Sequence, residues 1–77
     1  MPAGPSAAEV REARKDMARV EKQLSRLAER EERIHVAMAE AATDHARVLE
    51  LNRQLGEVVE ERELLELQWL EAAEVAG

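Results

Sequence analysis

Apolar residues recur every three and four positions along two separate stretches of this chain. The first ladder is Val10, Ala13, Met17, Val20, Leu24, Leu27, Glu31, Ile34, Met38 and Ala41, and the second is Val48, Leu51, Leu55, Val58, Arg62, Leu65, Trp69, Ala72 and Ala76. Each is a heptad a/d pattern, which a helix satisfies and a strand does not. The pattern predicts an all-α fold, a two-helix antiparallel coiled-coil hairpin. Residues 1–6 read as a flexible leader, because two prolines and a glycine precede any periodicity. Helix one is predicted over about 7–41, with Ser6 as N-cap and Glu9 as its capping-box partner. Residues from about 39 to 44 form the hairpin turn, where Thr43 or Asp44 caps the second helix. Helix two then runs over about 44–74 and leaves 75–77 frayed. So short a connection forces the helices antiparallel.

An antiparallel pairing of a with d positions sets Ala13 opposite Trp69, Ile34 opposite Val48, Leu27 opposite Leu55, Leu24 opposite Val58 and Met17 opposite Leu65. Glu31 then faces Leu51, Arg62 faces Val20, and Arg14 and Glu66 flank the seam. A register one heptad later satisfies the same rule. Glu31 and Arg62 interrupt the ladders either as register-setting polar residues or as long chains lying along a thin seam with their heads in water. Gly56 costs about 1 kcal/mol relative to alanine, as a tolerated weak point or as a close approach to another surface.

A hairpin this thin has no interior for a catalytic site, and the composition agrees. The 77 residues contain no cysteine, which removes thiolate nucleophiles, disulfides and cysteine metal sites. Gly4, Gly56 and Gly77 are isolated, so no glycine-rich phosphate loop exists. His35 and His45 sit near the turn without convergent ligands and read as exposed side chains. Ser25 has no neighbouring base. The abundant glutamates lack the burial that general acid–base work requires. No stretch approaches the about eighteen apolar residues of a membrane span. The chain reads as a soluble, cytoplasmic, non-enzymatic element without a metal or cofactor of its own. It is expected to be a monomer, although the ladders also permit a four-helix dimer.

The net charge of -6 is unevenly placed. Between Glu9 and Glu40 eight basic residues balance eight acidic ones, whereas the rest of the chain carries three basic and nine acidic residues. Arg11, Lys15, Arg19, Lys22, Arg26, Arg30 and Arg33 follow at spacings of three or four and wind as one stripe away from the seam. Such a row on a rigid rod can track a phosphate backbone without reading sequence; the plainer reading is a solvated helix face. On helix two, Val59, Leu64, Leu67 and Leu70 widen the apolar surface around Trp69, the only aromatic residue. Trp69 fits either a protein-docking anchor or the largest residue of the seam.

The runs Arg14-Lys15, Arg19-Val-Glu-Lys-Gln-Leu24 and Ala28-Glu-Arg-Glu-Glu-Arg-Ile-His35, the turn Ala41-Ala-Thr-Asp-His45, and the later Val48-Leu-Glu-Leu-Asn52, Glu60-Glu-Arg-Glu-Leu-Leu-Glu66 and Trp69-Leu-Glu71 resemble the C-terminal coiled-coil domain of ABC-F ATPases. The Ala-Thr-Asp turn with Trp-Leu-Glu at matching distance is the specific part. The resemblance covers about residues 11 to 72. It implies an antiparallel hairpin tethered behind two ATP-binding cassettes, in proteins that act at the ribosome in translation, rescue, assembly or antibiotic protection, with some members linked to DNA metabolism. It further implies that ATP and magnesium belong to a parent chain, because no Walker lysine, signature loop or Walker B acid is present. Ribosomal RNA, DNA and the parent's cassette domains are the partners it implies. The family's tails are often basic, whereas this chain is acidic overall, and Gly56 replaces a helix-forming residue.

Overall fold

The computed structural model describes residues 4–77. Of the leader expected over residues 1–6, the first three lie outside the described residues, and Gly4 to Ser6 carry no regular structure. Helix α1 spans Ala7–Glu40 and helix α2 spans His45–Ala76. They pack as an antiparallel hairpin measuring 64 × 17 × 12 Å.

The ends of both helices have identifiable causes. The Ser6 hydroxyl oxygen accepts from the Glu9 amide at 3.1 Å, and the Glu9 carboxylate accepts from that hydroxyl at 3.2 Å. This ties off one free donor of the first turn. At the turn Ala41 donates to the Ala37 carbonyl, and Asp44 donates back to the Ala41 carbonyl at 2.8 Å. Of the two candidate caps Asp44 is the one used, accepting from the Arg47 amide at 3.1 Å. Helix α2 continues two residues past Glu74 to Ala76. Gly77 closes it with a φ of +90°, a left-handed conformation that only glycine adopts without cost, and donates to the Ala73 carbonyl.

The two ladders are not buried equally. Ala13, Val20, Leu27 and Ile34 on α1 and Leu51, Val58, Leu65 and Ala72 on α2 form the buried core. These are the d positions of both helices. The a positions, including Met17, Leu24, Leu55 and Trp69, remain half-buried along one side of the seam. Val20 and Val58 are completely inaccessible to solvent. Burying a valine, leucine or isoleucine stabilises by about 1.5–3 kcal/mol each, so a single row of d residues provides most of the cohesion.

The register differs from the one expected. Trp69, expected opposite Ala13, bonds instead to Glu21, eight residues further along α1, and Ala13 borders a groove at the open end with Ala72 and Val75. The pairing is displaced by three residues, about 4.5 Å along the rod. The cause lies in the turn. Helix α1 ends at Glu40 and α2 begins at His45, so the hairpin folds about a point between Ala42 and Thr43, later than the expected centre. Each residue by which a turn moves shifts every cross-hairpin pair by two.

Candidate interaction surfaces

The long side chains of the ladders' two charged residues meet across the seam. Arg62 donates from Nη1 to Glu31 Oε2 across the seam. Its Nε lies 3.7 Å from Glu66, and Glu31 lies 3.8 Å from His35 Nε2. Glu31 and Arg62 are thus ion-pair partners through side chains that reach along the seam, and neither charge is left against Leu51 or Val20 alone. Glu66 belongs to this chain of charges, whereas Arg14 makes no ion pair among the described residues. His35 flanks the same chain, and His45 opens α2 as an exposed residue. Among the described residues no group of three His, Asp or Glu side chains is arranged to hold a metal.

Trp69 fills the flank beside this network. Its indole Nε1 donates to Glu21 Oε1 at 3.2 Å. With Glu21, Leu24, Glu66 and Leu70 it lines a groove of about 330 Å³. Trp69 is thus a half-exposed seam residue, and its partner on α1 is Glu21 instead of Ala13. The small pair Ala13 and Ala72 leaves an open groove of about 450 Å³ at the free end of the hairpin.

All seven residues of the cationic stripe lie on α1, at b, c, f and g positions that turn away from the buried row. Arg19 is paired with Asp16 at 3.5 Å, and Arg30 reaches across to Glu57 at 3.9 Å. Arg11, Lys15, Lys22, Arg26 and Arg33 are exposed, with no carboxylate within ion-pair distance among the described residues. On the outermost b, c and f positions Glu12 lies among the cations between Arg11 and Arg26, and Glu29 and Glu32 between Arg26 and Arg33. The stripe is a row of exposed cations, interrupted by these acids, on a protein of negative net charge.

The five apolar residues expected to dock a partner fall in two places. Val59 and Trp69 are half-buried on the side of the hairpin that bears the a positions. Leu64, Leu67 and Leu70 stand on the outer back of α2 and are 62%, 53% and 56% exposed. Leu70 borders both regions, since it also lines the Trp69 groove. Leu49 and Val36 are comparably exposed and were not singled out by sequence reasoning; both are outer positions of their heptads. Nearer the turn, Glu50 receives two hydrogen bonds from Arg53, at 2.7 and 3.0 Å, and one from Gln54 at 3.3 Å. These bonds, Arg53's first, hold the Glu50 carboxyl down at about 2, below its ordinary 4.5, and raise the Arg53 guanidinium further. Arg53 also bonds Glu57, so this basic group is consumed by its own helix.

No helix among the described residues is long and apolar enough to cross a membrane. Compared with known proteins, the chain matches no family model, no curated protein and no solved structure.

Proposed function

We propose that this hairpin is a positioning arm, the C-terminal accessory domain of an ABC-F ATPase, which lays the outer face of α1 along the phosphate backbone of ribosomal RNA or DNA. The sequence resemblance supports the family reading. One structural observation supports the nucleic-acid contact: Arg11, Lys15, Lys22, Arg26 and Arg33 share the outer face of one helix, unpaired among the described residues. Arg11 to Arg33 spans about 33 Å at 1.5 Å per residue, close to the roughly 34 Å of one duplex turn. Cations along such a length neutralise phosphates without reading bases. The acidic outer face of α2 would point away from the nucleic acid and orient the rod. The arm is non-catalytic in this reading; ATP, magnesium and hydrolysis belong to the parent's cassettes, and the setting is cytoplasmic.

Fluorescence anisotropy with labelled duplex DNA and structured ribosomal RNA tests this. If about four phosphates are neutralised, affinity falls about a hundredfold between roughly 50 and 200 mM salt. Reversing Lys15, Arg19, Lys22 and Arg26 to glutamate abolishes binding. Indistinguishable binding by the two proteins, or none by either, rejects the nucleic-acid contact.

A further inference from the structure

On a helix surface a residue's side-chain neighbours lie three and four positions away on each side. For Leu67 these are Leu64 and Leu70, Glu63 and Glu71, while Glu60 lies four positions before Leu64 and Glu74 four positions after Leu70. A diagonal of three exposed leucines is thus enclosed by four glutamates, with no basic residue among them. None of the four glutamates has a cationic partner within ion-pair distance among the described residues.

This arrangement works against the helix that bears it. Glu60 and Glu63, and again Glu71 and Glu74, are like charges three residues apart, which costs helix stability. Glu74 also lies in the last turn, at the negative end of the α2 dipole, and that turn holds no basic residue to offset it. Three leucines stay in water beside these glutamates although α2 already has a complete buried row. Both costs are relieved by the same kind of ligand, one that brings apolar side chains in the middle and positive charge at the edges.

We infer that the Leu64–Leu67–Leu70 diagonal with its four glutamates is a docking site for a basic amphipathic helix of another protein. Leucines or methionines of that helix pack on the diagonal, and its flanking lysines or arginines meet Glu60, Glu63, Glu71 and Glu74. A second copy of the chain fits poorly. Patch against patch would bring eight glutamates face to face, and the basic outer face of α1 offers Ala18 and Ser25 between its cations rather than large apolar residues. The site uses the other helix from the proposed nucleic-acid stripe, so either can fail alone.

The probe is a synthetic helical peptide with leucines at i, i+3, i+4 and i+7 flanked by lysines, compared with a version flanked by glutamates, in titration calorimetry against the whole hairpin. The lysine peptide binds and the glutamate peptide does not. Leu67→Ala weakens binding about tenfold, the loss typical of a truncated interface anchor. The pair Glu63→Gln and Glu71→Gln weakens it and flattens its salt dependence. Glu12→Gln with Glu29→Gln, acids on the outer face of α1, leaves it unchanged. Circular dichroism melting verifies that each variant folds, as expected at exposed positions. Equal affinity of the two peptides, or of the parent and Leu67→Ala proteins, overturns the site. So does self-association of the hairpin in sedimentation that Leu67→Ala abolishes, because the patch would then belong to a second copy.

Discussion

Glu31 and Arg62, the only charged residues on the two apolar ladders, are each other's partners across the hairpin. A charged residue in a seam is expensive alone, and the pair places both charges where each offsets the other while their ends remain partly wet. A slip of one heptad would leave both opposite apolar groups, so the pair favours one register over its neighbours. Because both side chains are partly exposed, their coupling in a double-mutant cycle is expected at about 0.5–1 kcal/mol. Replacing both by leucine raises the melting temperature. A coupling indistinguishable from zero in low salt would show that the pair does not set the register.

The unequal burial of the leucines predicts a sharp contrast within one helix. Leu51 is 2% exposed, whereas Leu67 stands on the outer back. Leu51→Ala is expected to cost about 2–5 kcal/mol, a large share of a small domain's stability. Leu67→Ala should stay within about 0.5 kcal/mol. Urea denaturation of both variants checks this, and similar losses would contradict the assigned core row.

Gly56 lies within α2, and a β-carbon built on it meets nothing within 4 Å. Nothing within the hairpin approaches this glycine, so inside the fold it is a tolerated weak point of the helix. Gly56→Ala should stabilise the hairpin by about 0.5–1 kcal/mol. Thermal melting would show a lower midpoint if an unexpected contact occupies that face.

Glu50 supplies a pH-dependent contribution whose sign follows from its neighbours. Its folded value of about 2 lies below the ordinary 4.5, because Arg53 and Gln54 bond the charged form. The stabilisation is therefore complete above about 4.5 and is lost as pH falls through about 2. A carboxyl-carbon titration by NMR should place the Glu50 midpoint well below those of unpaired glutamates, and Arg53→Met should return it to their range. A midpoint near 4.5 in the parent protein would mean that the Arg53 bonds do not persist in solution.

Much of this protein is determined by its sequence alone. Heptad spacing marks two helices because a period of 3.5 suits only that backbone, and Ser6 and the Thr43-Asp44 pair mark where hydrogen bonding must restart, whereas the stop at Gly77 instead of Glu74 emerged only in the structure. The cationic stripe is equally legible, since residues three and four apart on a helix share a face whatever the helix packs against. What the tertiary structure decided is everything that depends on how one helix slides on the other. The exact turn centre chose the register, and with it the cross-seam partners Glu31 with Arg62 and Trp69 with Glu21. The places of Val59, Trp69 and the outer leucines around α2 follow from their heptad positions, whereas how deeply each is buried was decided by the packing against α1. Periodicity carries no information about sliding, because a heptad ladder looks the same to its partner after every shift that restores apolar contact. Only the geometry of four turn residues and two polar intruders breaks that degeneracy.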